Sequence, residues 1–273
     1  MKYTLQSSKY VFKNFIYLFP FAILPAVFFA VSTDEEAIIS VVKALLEGRL
    51  SDWTFGGLFK ALSILNFASW QSIVFGQVGV ILIIFSVSLL MALLEKHMRI
   101  GKRTFNGLWG KLNDNFVSTL CVVLTVLVLY ELWTLLLAAF LFFLSRITIT
   151  AVAYVLLGIA FILFHILLMV SVGVIYLWLP CMQITGFRAF EALSYSYQLM
   201  NPIKWKIMLA QIGVLFVVEG LICACAIYFT MPLTFNIVAA VLYAGVMMIY
   251  CVRMQIAYFD RDNIQRADMI KYY

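Results

Sequence analysis

Uncharged stretches dominate the pattern. Between Lys13 and Asp34 lie 20 residues without a formal charge, between Lys60 and Glu95 there are 34, and between Arg146 and Arg188 there are 41. A helix crosses the roughly 30 Å hydrocarbon layer in about 20 residues, so each of these gaps holds at least one span. From Asp114 to Arg146 the only charge is Glu131, and from Lys206 to Arg253 it is Glu219. The latter stretch is long enough for two helices, divided at Met231-Pro232, because proline cannot continue a helix. The pattern predicts six spans: Phe15 to Val31, Ser72 to Leu94, Phe116 to Leu144, Thr150 to Leu179, Ile207 to Thr230, and Asn236 to Ala257. These segments are continuously apolar, whereas a membrane barrel alternates over segments of about ten residues. The expected fold is therefore all-α, a single polytopic membrane domain over residues 1–273.

Between the spans the pattern changes to helical amphipathicity. An outer segment, about residues 33–71, opens with Thr33-Asp34-Glu35-Glu36, a capping box. Ile38, Val42, Leu45 and Leu46 then recur at helical spacing, predicting a helix on the outer membrane surface or a lid over an outward cavity. Trp53, Phe55 and Trp70 suit the headgroup boundary. Two inner linkers, about 95–115 and 180–206, carry the stripes Phe105, Leu108, Trp109, Leu112 and Phe187, Phe190, Leu193, Tyr197, Met200. Both read as short interfacial helices that feed the next span. Beside them Lys102, Arg103, Lys111, Arg188, Lys204 and Lys206 are placed to meet anionic lipid headgroups.

Composition narrows the class. Of the 273 residues 65% are hydrophobic and 12% charged, with a mean hydropathy of +1.03. A soluble domain needs about 25% charge, and disorder is incompatible with 24 Phe, 14 Tyr and 6 Trp. If the N-terminus is inside, 15 of the 19 Lys and Arg fall on inner segments, including Lys271, and only Lys43, Arg49, Lys60 and Arg146 lie outside. By the positive-inside tendency both termini face the cytoplasm. This distribution accounts for the net charge of +6, which lacks the concentrated basic face that nucleic acid requires. Ala30-Val31-Ser32 after a lysine-bearing start also fits a signal-peptide cleavage site, while Pro20 and Pro25 describe a kinked span. Cys121, Cys181, Cys223, Cys225 and Cys251 all fall in or beside spans and read as small packing residues.

An ionisable group in mid-bilayer costs about 2.5–3.5 kcal/mol on insertion scales, so each one needs a reason. Glu131, His165 and Glu219 stand about 12 to 15 residues into the third, fourth and fifth spans, close to one depth. Together they could form a proton relay or hold a polar headgroup; singly, each could be a hydrogen bond between helices. Gln77 and Gln211 are candidates to line the same interior, and Arg253 is expected to reach toward the headgroups. No metal or cofactor is expected, since the three groups lie on separate helices without an i, i+3 or i, i+4 ligand pair. The chain has no G-x-S-x-G, H-E-x-x-H or P-loop pattern, and only two histidines, His97 and His165.

Gly101-x-Arg103-x-Phe105-x-x-Leu108 aligns with Gly186-x-Arg188-x-Phe190-x-x-Leu193 at a separation of 85 residues. Each follows an inward span and precedes an outward one, as a parallel repeat of spans 2–3 and 4–5 would require. Residues Gly101-Lys102-Arg103-Thr104-Phe105 with Lys111 and Phe116, and Leu179-Pro180 with Glu191 to Ser196 and Trp205, carry a family resemblance. Over about a quarter of the chain they resemble a group of bacterial six-helix membrane proteins. That group comprises the membrane domain of some glycerophosphoryl diester phosphodiesterases and its stand-alone relatives. The resemblance implies a bacterial cytoplasmic-membrane protein tied to lipid or envelope metabolism. These residues include no counterpart of the soluble catalytic domain, so no catalytic residue is carried over. Three functions follow as expectations: handling of a lipid-like or amphipathic substrate, alone or for a partner; a structural accessory role in a homo-oligomer or membrane complex; or intramembrane catalysis by paired carboxyls.

The predicted orientation has a direct check. In a cysteine-free background, an impermeant thiol reagent applied to intact cells is expected to label a cysteine placed at Glu47 and to spare one placed at Lys271. Labelling at Lys271 alone would reverse the topology.

Overall fold

Apolar runs of this length bury their backbone polar groups only by closing them into helices, and each predicted span is one. A computed structural model describes residues 2–65, 69–229 and 231–269. Six helices are long and apolar enough to cross a membrane: α2 (Phe15–Ser32), α5 (Trp70–Ile100), α6 (Leu108–Leu144), α7 (Thr150–Val174) with its continuation α8 (Trp178–Thr185), α10 (Lys204–Tyr228) and α11 (Pro232–Arg261). Four shorter ones flank them: α1 (Lys2–Lys13), α3 (Glu35–Leu46), α4 (Phe55–Leu62) and α9 (Ala189–Met200). No strand occurs among the described residues. The predicted end of the fifth span at Thr230, and Lys271 of the charge tally, lie outside the described residues.

The closest packing in the bundle is that of α2 against α5 and α11. Leu18, Ala22, Ala26 and Ala30 recur every fourth residue and are buried to within 3%. Small residues on one helical stripe let backbones approach, which replaces the hydrophobic drive that lipid does not supply. α5 answers with Gly76 and Gly79, where an added Cβ would stand 3.3 Å from Ser32 Oγ and 3.2 Å from the Phe29 ring. Pro20 and Pro25 sit inside α2 without ending it.

Local signals account for most helix ends, with corrections. Asp34, not Thr33, caps α3 by accepting from the Ala37 N–H at 3.0 Å. The Thr33 hydroxyl instead donates back to the Phe29 carbonyl and closes α2. Gly101 and Gly186, the shared glycines of the proposed repeat, both end their helices in the left-handed region at φ +74, a conformation glycine adopts without strain. Beyond them the two segments diverge. α9 is a separate helix as expected, whereas Leu108, Trp109 and Leu112 are the first turns of α6 itself and Phe105 precedes it. α1 is a helix that the hydrophobic pattern does not reveal, because its buried stripe of Tyr3, Ser7, Tyr10 and Val11 is half polar.

Both termini lie at one end of the bundle. There Tyr3 and Lys2 of α1 bond Asp260, Tyr195 of α9 bonds Asp262, and Arg261 Nε donates to the Leu199 carbonyl. The Tyr195 phenol is pushed up to about 12 by its hydrogen bond to the Asp262 carboxylate. The Tyr3 phenol reaches a similar value, chiefly through burial. At the opposite end α3 and α4 form a cap. Ile38 is buried beside Ile222, Ala226 and Phe235, so α3 packs on the ends of α10 and α11 and is not only a surface helix. Trp53, expected at the headgroup boundary, is 6% exposed and donates to the Val41 carbonyl. Tyr154 and Arg146 fasten the cap further through the carbonyls of Leu45, Ser51 and Trp53.

The close approach of α2 carries a prediction. Ala22→Leu, at a fully buried site, is expected to lower the stability of the purified protein in detergent by about 1–3 kcal/mol. Ile16→Leu, on the exposed face, is expected to change it little, both read by thermal unfolding.

Candidate functional site

His165 stands on α7 where the helix meets α6 and α10, with no exposed surface. Its Nδ1 lies 2.7 Å from the Phe161 carbonyl one turn back, so that nitrogen carries a proton and donates it. Nε2 lies 3.1 Å from Glu219 Oε1 on α10. With Nδ1–H fixed, the contact between Nε2 and Oε1 needs one more proton, which sits on the imidazole or on the carboxyl. The pair is thus a neutral unit that can move one proton across a hydrogen bond. Aromatic rings wall it off: Trp133 edge-on at 4.9 Å, Phe161 at 4.1 Å and Phe216 at 5.0 Å between ring centroids. Trp133 is itself held by its indole N–H donating to the Phe164 carbonyl at 2.7 Å. Glu219 is less enclosed, its side chain 27% exposed.

Around Glu219 the bundle supplies further polar groups. Tyr130 of α6, Tyr243 of α11 and Cys223 one turn along α10 all lie within electrostatic range of its carboxyl. The Tyr243 hydroxyl sits 3.2 Å from Thr33 Oγ1, which links this cluster to the end of α2. Sequence reasoning passed over both tyrosines as bulk aromatics. The signal was available, since a phenol inside an apolar span must find a hydrogen-bond partner.

Glu131 is engaged elsewhere. Its carboxylate accepts from Ser63 Oγ at 2.7 Å and from the Ile64 and Leu65 N–H groups, each at 3.1 Å. Its neighbor Tyr130 donates to the Leu62 carbonyl at 2.9 Å. Two consecutive residues of α6 therefore grip the chain as it leaves α4. The expected cluster of two acids and an imidazole resolves into a His165–Glu219 pair and a separate Glu131 anchor, with Tyr130 in electrostatic range of both carboxyls. Beside the anchor lies an open, apolar surface groove lined by Phe59, Leu65, Leu127, Val128, Glu131, Leu132 and Leu135.

The remaining candidates divide. Gln77 is exposed on α5, away from the interior it was expected to line. Gln211 is buried on α10 against Tyr250, at the termini end. Arg253, expected to reach outward, is 2% exposed and turned into the bundle. Lys102, Arg103, Arg188 and Lys206 are exposed at the termini end, Lys204 is half-buried, and Lys111 pairs with Glu95 at 3.9 Å. Phe105, Trp109, Phe190 and Trp205 project among them, each more than half exposed. Among the described residues no group of three His, Cys, Asp or Glu is gathered closely enough to hold a metal ion.

The anchor predicts a stability effect separate from any activity. Glu131→Leu leaves the Ile64 and Leu65 N–H groups without their acceptor, and is expected to cost about 1–3 kcal/mol in thermal unfolding. It should also expose the chain after α4 to proteolysis. Ser63→Ala, which removes one of the four donors to this carboxylate, should cost less. A search of protein-family models, of curated proteins and of solved structures finds no match to this chain.

Proposed function

We propose that this is a non-enzymatic protein of a bacterial cytoplasmic membrane that handles a lipid-like or amphipathic molecule, alone or for a membrane-protein partner. The observation that carries this reading is the His165–Glu219 pair, held between α7 and α10 with Glu219 partly open. A carboxyl in mid-bilayer is costly wherever it stands, and hydrophobic packing would serve the fold as well. The pair offers what packing cannot: a proton that can pass from Glu219 to His165 Nε2, leaving a carboxylate that accepts a hydrogen bond from the ammonium or hydroxyl of a headgroup. The apolar remainder of such a molecule has the lipid-facing flanks of α7 and α10 to lie on. Exposed Leu163, Ile166 and Val217 are among the residues there.

In the proposed orientation the termini end faces the cytoplasm. Lys102, Arg103, Arg188 and Lys206, with the exposed aromatics between them, would then hold that end at anionic headgroups. The weak resemblance to phosphodiesterase-linked membrane domains points the same way, toward lipid or envelope metabolism. A second reading, a structural accessory subunit, is favored by the Glu131 anchor, whose acceptors are filled by its own cap. The intramembrane-enzyme reading has less support, since the two carboxyls belong to separate hydrogen-bond sets.

The test is reconstitution into vesicles with fluorescent amphipaths of differing headgroup. The wild-type protein is expected to accelerate their redistribution between leaflets over protein-free vesicles. Glu219→Gln should reduce that rate by about tenfold or more, the effect of losing about 1.4 kcal/mol of stabilisation, with unchanged elution and melting temperature. A wild-type rate equal to that of empty vesicles would leave only the accessory reading. Full activity in Glu219→Gln would remove the pair from the mechanism.

A further inference from the structure

Arg253 poses a separate problem. It lies eight residues before the end of α11, about 12 Å from the termini end of that helix. Only 2% of it is exposed, and no carboxylate among the described residues pairs with it. Its one hydrogen bond runs from Nε to the Tyr176 hydroxyl at 3.0 Å, and Nη1 is buried without a partner. A buried guanidinium cannot shed its proton, and an uncompensated charge in the interior is among the most costly arrangements a fold can hold. None of the described residues supplies the counter-charge.

The surroundings indicate what kind of group it is. Tyr176 packs edge-on against Tyr250, their centroids 5.2 Å apart, and Tyr250 also meets Gln211 of α10. Gln211 is 5% exposed, and its Oε1 is buried with no donor. Arg253 thus presents an unfilled cationic donor beside Tyr176, and Gln211 an unfilled acceptor beside Tyr250. An oxyanion that also carries a hydroxyl satisfies both; a zwitterionic headgroup without a hydroxyl does not. Tyr176 further lies in the break between α7 and α8, where Pro180 has no N–H to give the Tyr176 carbonyl. The α7–α8 helix is thus interrupted beside Arg253.

We propose that Arg253, with Tyr176 and Gln211, forms a binding site for a hydroxyl-bearing phosphate group, that of an anionic phospholipid in the leaflet at the termini end. The site is distinct from the His165–Glu219 pair and does not depend on it. Phosphatidylglycerol and free hydrogen phosphate share the required chemistry and are separated by experiment.

The full-length protein, purified and delipidated in detergent, is melted with phosphatidylglycerol, with phosphatidylcholine, or with inorganic phosphate. Phosphatidylglycerol is expected to raise the melting temperature by about 5 °C, and phosphatidylcholine to leave it unchanged. In Arg253→Met the ligand-free melting temperature should equal or exceed that of wild type, because the uncompensated charge is gone, and the phosphatidylglycerol shift should vanish. An equal shift in wild type and Arg253→Met overturns the proposal. An Arg253-dependent shift with inorganic phosphate alone upholds the site and overturns the lipid as its source. Should Arg253→Met fail to fold, native mass spectrometry of the wild type decides. Retention of phosphatidylglycerol over phosphatidylcholine that survives Lys102→Gln with Arg103→Gln supports the site. Loss of that preference in the double variant assigns it to surface charge.

Discussion

The hydrocarbon core of a bilayer offers no hydrogen-bond partners, and that constraint governs this molecule from its helices to its polar clusters. Backbone groups satisfy it by closing α2, α5, α6, α7, α10 and α11. Side chains satisfy it by meeting one another. His165 meets Glu219 and its own helix, Trp133 meets the Phe164 carbonyl, Tyr130 meets the Leu62 carbonyl, and Ser88, Thr119 and Gln183 bond across α5, α6 and α8. These bonds fix which helix faces touch. Small residues such as Ala22 and Gly79 then set how closely.

The two ends of the bundle solve the problem differently. At the cap end, α6 extends polar side chains to the loop that follows α4, and the carboxylate of Glu131 takes up two main-chain N–H groups that no helix satisfies. The cap is thereby part of the fold. At the termini end the fasteners are phenols and carboxylates, Tyr3 with Asp260 and Tyr195 with Asp262, in reach of water and headgroups. Between the ends stand the groups whose partners are incomplete, Glu219 partly open and Arg253 without a counter-ion among the described residues. Function is expected where the constraint is met least completely, since those positions are retained at a cost to stability.

Much of the fold was legible because hydrophobic length is a one-dimensional property. All six spans were readable, with some ends matched, Phe15 of α2 and Leu144 of α6, and others up to eight residues off, as at the start of α6, expected at Phe116 and found at Leu108. α1 was hidden because Ser7 occupies its buried face, bonding back to Tyr3, and α4 because its glycines weaken the pattern. The site was legible in its residue types and only partly in its pairing. Depth along a helix follows from counting, which brought Glu131, His165 and Glu219 to one region; azimuth follows from packing, which sends Glu131 to the cap and Gln77 outward. Arg253 shows the same limit, because its distance from the helix end allowed reaching outward and the direction of its side chain decided otherwise.

The central claim is that His165 and Glu219 act as one unit across the α7–α10 interface. A double-mutant cycle with His165→Phe and Glu219→Leu, each of which abolishes the hydrogen bond, measured by reversible unfolding in mixed micelles, tests it most directly. The account predicts a coupling of at least about 0.5 kcal/mol, so that the second substitution costs markedly less once the first is made. Strict additivity, within about 0.3 kcal/mol, would mean that the two side chains do not meet in the folded protein and would contradict it.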